Sequence, residues 1–180
     1  PYFERRKFSC TRPAGAMSPT FVMTSAWWLD TSPQACWPLI ANAGRWPDWW
    51  RSVAEVRALR GPARRPVGSL LWRALLGLPL RLRVHQRACD PCHLSEWRVS
   101  GDLQARLTWV LASDPPGGCD VTCRWEIEPM PARPRWLRSL GFLVLERSQF
   151  GRMRACSMDM GASLGCRSTP LREWSGMTHR

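Results

Sequence analysis

The chain has 180 residues and a mass of 20.6 kDa, the size of one domain with at most short extensions. Hydrophobic residues make up 44%, which excludes wholesale disorder, and no apolar run is long enough to cross a membrane as a helix. The net charge is +12, but Lys7 is the only lysine and the arginines are scattered through almost every segment rather than clustered. That spread argues against sequence-driven nucleic-acid binding and keeps a basic surface binder of nucleic acid or anionic lipid as a third-choice class.

Residues 1–22 show no period and read as a loose N-terminal extension. No apolar stretch of signal-peptide type follows their basic residues, so a cytoplasmic location with reduced thiols is expected for the eight cysteines. The first strand is expected over Met23–Leu29. Asp30-Thr31-Ser32-Pro33 then starts a helix, with Thr31 or Ser32 able to cap it and Pro33 suited to its first turn. Trp46-Pro47-Asp48-Trp49-Trp50 breaks that helix and leads to a second strand near Val53–Leu59.

From Val67 to Glu128 the pattern is an antiparallel meander: Val67–Leu76, Leu80–Ala88, Leu94–Ser100, Leu103–Ser113 and Cys119–Glu128. Gly77-Leu78-Pro79, Asp90-Pro91, Gly101-Asp102 and Asp114-Pro115-Pro116-Gly117-Gly118 supply the turns. Strand parity gives one apolar and one wet face. Leu103, Ala105, Leu107, Trp109 and Leu111 alternate with polar neighbours, as do Val121, Cys123, Trp125 and Ile127, and Leu80, Leu82 and Val84. The weaker strands add Leu70, Trp72 and Ala74, then Trp97 and Val99, then Trp28.

After Pro134 the period changes. Leu140, Leu143, Phe150, Met153, Ser157, Met160 and Leu164 recur at helical spacing and predict one long amphipathic helix. Residues 168–180 lack a pattern and read as a C-terminal tail. The expected domain is therefore residues 23–167, of class α+β.

That order of elements resembles the START-like, or SRPBCC, superfamily, in its polyketide cyclase/dehydrase-type branch. The resemblance rests on Thr31-Ser32-Pro33-Gln34-Ala35-Cys36-Trp37, on Trp46-Pro47-Asp48-Trp49-Trp50, on Val67-Gly68-Ser69 and Leu78-Pro79-Leu80, and on Gly101-Asp102-Leu103 and Trp109. It implies a helix-grip fold, in which a curved antiparallel sheet wraps around a long C-terminal helix and leaves a cavity for an apolar small molecule. Trp28, Trp72, Trp97, Trp109 and Trp125 on the expected inner face, opposite Phe150 and Met153, then form a candidate ligand-binding wall. The alternative is that the same indoles fill a core; the cavity is the preferred expectation. Trp46, Trp49 and Trp50 stand as a candidate entrance, or as a packing plug over the end of the sheet.

Two cysteine patterns bear on cofactors. Cys89-Asp90-Pro91-Cys92-His93 spells the c-type haem attachment motif, but falls on an expected hairpin turn, and the export that such attachment needs is not expected. Cys89, Cys92, Cys119 and Cys123 have zinc-like pairing, but Cys123 belongs to the apolar face. Neither a metal nor another cofactor is therefore expected. No catalytic residue is assigned, because the inner parity positions carry no general base; Gln86, Gln149 and Cys123 are the groups able to reach inward. The expected function is burial of a hydrophobic or aromatic, lipid- or polyketide-like molecule in a Trp-lined cavity. The alternative is a polyketide cyclase or aromatase using the same space, with Gln149 or rim arginines orienting the substrate.

Overall fold

The structure is a computed structural model and describes residues 20–58, 67–73, 79–115, 117–128 and 135–178. Strand β1 (Thr20–Leu29) leads into helix α1 (Pro33–Ala41), a single 3-10 turn (Ala43–Arg45) and the four-residue helix α2 (Trp46–Trp49). Six strands follow: β2 (Val53–Ala58), β3 (Val67–Arg73), β4 (Pro79–Asp90), β5 (Leu94–Gly101), β6 (Ala105–Asp114) and β7 (Gly118–Ile127). The 30-residue helix α3 (Arg135–Leu164) and strand β8 (Ser168–Thr178) complete the chain.

The eight described strands form one antiparallel sheet in the order β2-β3-β4-β5-β6-β7-β1-β8. Helix α3 packs against β1 and β8, and also against α1 and α2. The apolar period seen in the sequence becomes the buried face. Ala105, Leu107, Trp109 and Leu111 of β6 are buried, as are Val121, Cys123, Trp125 and Ile127 of β7, Leu82 and Val84 of β4, and Trp97 and Val99 of β5. Ser32 caps α1 through its hydroxyl, which accepts from the Ala35 amide at 3.3 Å, and Pro33 occupies the first turn. Met153, Cys156 and Met160 present the buried side of α3 to the sheet, and Gly151 and Gly161 lie within the helix without ending it.

Three expectations change. The stretch read as an N-terminal extension gives up Thr20, Phe21 and Val22 to β1; residues 1–19 lie outside the described residues. The stretch read as a C-terminal tail is strand β8 from Ser168 to Thr178, hydrogen-bonded along the whole of β1. Its alternation is hidden by a register shift between Ala26 and Trp27 of β1, opposite which Leu171 is the extra residue. Pro170 is tolerated because β8 is an edge strand.

The third change concerns β1. Trp28 does not face inward; Trp27 does. Trp27 stands opposite Val121 and Trp28 opposite Asp120, and directly opposed residues share a face of the sheet. Trp27 is consequently 1% exposed. Trp28 lies on the other face, over Gly118, where any side chain would collide with the indole ring. Ala74, together with the side chains of Leu140 and Leu143, lies outside the described residues.

Candidate functional site

The inner face of the sheet is a continuous network of indoles. Trp109 of β6 meets Trp27 of β1 edge-on, with ring centroids 5.9 Å apart, and meets Trp50 at 5.6 Å. Trp50 continues to Trp72 of β3 at 4.8 Å, and Trp72 to Trp125 of β7 at 5.1 Å. Trp46 reaches Trp97 of β5 at 5.1 Å. Trp49 stacks on Trp50 with 16° between the ring planes. Edge-to-face pairs of this kind stabilise by about 0.5–1.5 kcal/mol each beyond their area burial, because the positive ring edge meets the negative face.

Trp72, Trp97, Trp109, Trp125 and Met153 are thus buried together where the sequence places them, and Phe150 packs half-buried against them. Trp46, Trp49 and Trp50 are not at a rim: they are 0%, 5% and 0% exposed, and they insert between the rings of β3, β5 and β6. The expected entrance is a plug. Around Trp97 and Trp109 these indoles occupy the space against the inner face of the sheet. The plug has two fastenings. The Trp49 indole N–H donates to the Leu39 carbonyl at 3.1 Å. The Arg51 guanidinium donates to the Asp159 carboxylate of α3 at 2.6 Å, and the Arg51 amide donates to the same carboxylate at 3.3 Å. Trp27 is the wall residue that sequence reading missed. Two adjacent tryptophans carry no parity signal of their own, and only the pairing with β7 selects one.

One chemical feature of the network stands out. The indole N–H groups of Trp27, Trp46, Trp50, Trp97 and Trp109 are buried with no hydrogen-bond acceptor among the described residues. Leaving such a donor unpaired costs about 1–3 kcal/mol each, so five in one cluster is an unusual concentration. Two side-chain amides are buried as well. Gln86 donates to Ser95 at 3.2 Å, and Gln149 of α3 leans on the Met153 sulfur at 3.6 Å. Asp159 is the only buried carboxylate among the described residues, and it is engaged by Arg51. No imidazole is buried among them. Within α3, burial pulls the Arg152 guanidinium below the usual arginine range; it donates to Ser148 at 3.1 Å.

The inner thiols are not nucleophiles. Burial pushes Cys123 and Cys156 well above the ordinary thiol range, with the Trp125 N–H pulling Cys123 back only in part. The hydrogen-bonded neighbour Cys119 and burial raise Cys36 as well. The Cys89–His93 segment is the β4–β5 hairpin turn. Cys92 holds a φ of 63°, Cys89 is exposed, and His93 Nδ1 lies 3.3 Å from the Pro91 carbonyl. Among the described residues no three Cys, His, Asp or Glu side chains gather at metal-binding spacing.

With the grip of sheet, plug and long helix in view, residues 22–159 match the family model described as polyketide cyclase / dehydrase and lipid transport. The chain belongs to this family. Its fold is the helix grip of the START/SRPBCC superfamily. A protein from Thermus thermophilus superimposes with a TM-score of 0.63 at 14% identity, over 79% of this chain and 98% of that one. An aromatase/cyclase from Streptomyces sp. R1128 gives 0.64 at 13% identity, over 79% and 92% of the two chains. A START superfamily protein from Mycobacterium smegmatis gives 0.62 at 10% identity, over 81% and 97%. At such identities these structures share the fold. No curated protein matches this sequence. No described helix is long and apolar enough to cross a membrane.

Proposed function

We propose that this family member binds an apolar, ring-bearing small molecule between the sheet and α3, and that the ligand carries carbonyl or hydroxyl oxygens. The observation that carries this reading is the set of acceptor-free indole N–H groups at Trp27, Trp46, Trp50, Trp97 and Trp109. A hydrocarbon would leave those donors unpaired, whereas ligand oxygens among the rings would satisfy them. Indole faces supply broad contact to the ring body at little entropic cost. Entry requires the plug to move, since Trp46 and Trp50 occupy the middle of the grip. Helix α2 suits that role: it has four residues and is held mainly by Arg51 to Asp159 and by Trp49 to Leu39.

A second reading, cyclisation of a polyketide-like chain, is favoured by the family match. In it the chain would be shaped by the indole wall and oriented by Gln149 and the partly desolvated Arg152. No side chain is assigned to proton transfer.

Calorimetric titration with 2,3-dimethyl-1,4-naphthoquinone, whose blocked ring positions do not add the free thiols such as exposed Cys89, and with 2,3-dimethylnaphthalene tests the first reading. Saturable binding of the quinone, tighter than that of the hydrocarbon by about ten-fold for each well-made hydrogen bond of about 1.4 kcal/mol, is expected. Trp109→Phe keeps an aromatic ring but removes one N–H, and should narrow that preference. Equal affinities for the two probes, or no saturable heat with either, would overturn the reading. Turnover of a linear poly-β-ketone mimic, lowered in Gln149→Leu, would favour the second.

A further inference from the structure

On the opposite face of the sheet, the cross-strand register sets Arg57 of β2, Ser69 of β3, Arg83 of β4 and Ser100 of β5 in a single row. Neighbours in such a row are about 5 Å apart, so their side chains meet. The next row holds Leu71 and Arg81. Together these residues line a basin of about 820 Å³, within the range of small-molecule sites. It is separate from the indole network, from which β3 and β4 divide it.

The charge pattern in the basin differs from that of β5, β6 and β7 on the same face. Arg98 pairs with Glu128, Arg106 with Glu96 and Arg124 with Glu126. In the basin, Glu55 is taken by Arg57 at 2.6 Å, and Asp102 is taken by the Arg81 backbone amide at 2.8 Å. The guanidinium groups of Arg81 and Arg83 have no carboxylate partner among the described residues, and Arg83 has a hydroxyl on each side, Ser69 and Ser100. Their backbone is held firmly. Gly101 has a φ of 113° and lies against the Arg81 carbonyl, where any side chain would collide, while the Asp102 amide donates to that carbonyl at 3.1 Å. Gly101-Asp102 is therefore a clamp that fixes β4 at Arg81.

From this arrangement we infer a second binding site, for a small organic phosphate. Arg81, Arg83 and the two serine hydroxyls take the phosphate oxygens, and the apolar part of the ligand lies on Leu71. Two guanidinium forks with two hydroxyls offer more donors than the two oxygens of a carboxylate can accept, whereas a phosphate monoester presents three oxygens and up to two charges. Leu71 is the apolar member of the two rows and would otherwise be flanked only by charged and hydroxyl groups.

The test uses the full chain and phenyl phosphate, with inorganic phosphate, benzoate and phenol as companions, by calorimetry at low salt. Saturable binding of phenyl phosphate is expected, tighter than that of each companion. Arg83→Gln and Arg81→Gln should each weaken it about ten-fold, the loss of a charge-assisted contact. Arg172→Gln, the same charge change on β8, should leave it unaltered. Dimethylnaphthoquinone binding should persist in Arg83→Gln, so that loss of this site is told apart from loss of the inner one. The inference is overturned if Arg172→Gln weakens binding as much as Arg83→Gln does, which would mean general charge attraction. It is also overturned if phenyl phosphate binds no more tightly than phenol, or if no saturable binding is seen.

Discussion

Trp50 touches Trp46, Trp49, Trp72 and Trp109, and is fully buried among them. Trp50→Ala should therefore destabilise the fold by about 3–5 kcal/mol, the cost of emptying a large aromatic site that cannot collapse. Trp174, half exposed on β8, should cost within about 0.5 kcal/mol when changed to Ala, as for a surface substitution. Urea unfolding of the two variants checks the contrast. The thiols give a second residue-level expectation. Exposed Cys89 should alkylate first among the described cysteines, while Cys36, Cys119, Cys123 and Cys156 stay protected until the chain unfolds. Mass spectrometry after brief iodoacetamide treatment reads this directly, and early labelling of Cys123 would contradict the burial. At this scale the sequence was legible wherever polar and apolar residues alternate. It was not legible at Trp27-Trp28, where both neighbours are equally apolar and inward direction depends on a partner strand far away in the chain.

Among elements, α2 and β8 depend most on tertiary context. Helix α2 is too short to persist alone, and its position follows from burying three indoles and from the Arg51–Asp159 bridge. Asp159→Asn should loosen it. Faster hydrogen exchange of the Trp50 amide, which donates to the Trp46 carbonyl at 2.7 Å, is the expected result, with the β6–β7 pairing unaffected. Unchanged exchange at Trp50 would mean that the indoles alone retain the plug. Strand β8 was read as a tail because Pro170, Gly176 and the bulge interrupt its alternation. What holds it is a backbone ladder to β1, which leaves little trace in side-chain pattern. Deleting residues 168–180 should expose β1 as a new edge, lower the thermal midpoint and promote self-association, as seen by light scattering. By contrast β4, β5, β6, β7 and α3 were legible from their periods, because each of these strands buries alternate residues over part or all of its length and α3 buries Met153, Cys156 and Met160 at helical spacing.

At the scale of the whole molecule, the sheet carries two dissimilar surfaces. One is a nearly uncharged wall of rings facing α3, and the other is an arginine-rich outer face with a basin at β2–β5. If the inner face takes a ligand as proposed, dimethylnaphthoquinone at a hundred times its dissociation constant stabilises the fold by about 2.7 kcal/mol. For a chain of this length that corresponds to a rise in thermal midpoint of about 5–10 °C. A flat midpoint at saturating ligand would mean that the plugged form, rather than an opened one, is all the protein offers. The class of fold, the antiparallel meander and the long helix are legible in the sequence, because strand parity and helical period are local properties written every two or three to four residues; the family came from a resemblance carried by short motifs. The fold, and no single segment, sets Trp27 rather than Trp28 in the wall, buries Trp46, Trp49 and Trp50 inside the grip, and brings Arg81 and Arg83 into one basin with no ion-pair partner for either guanidinium among the described residues. Those outcomes depend on register between distant strands and on the volume left between two packed layers, and neither quantity is encoded in any one segment.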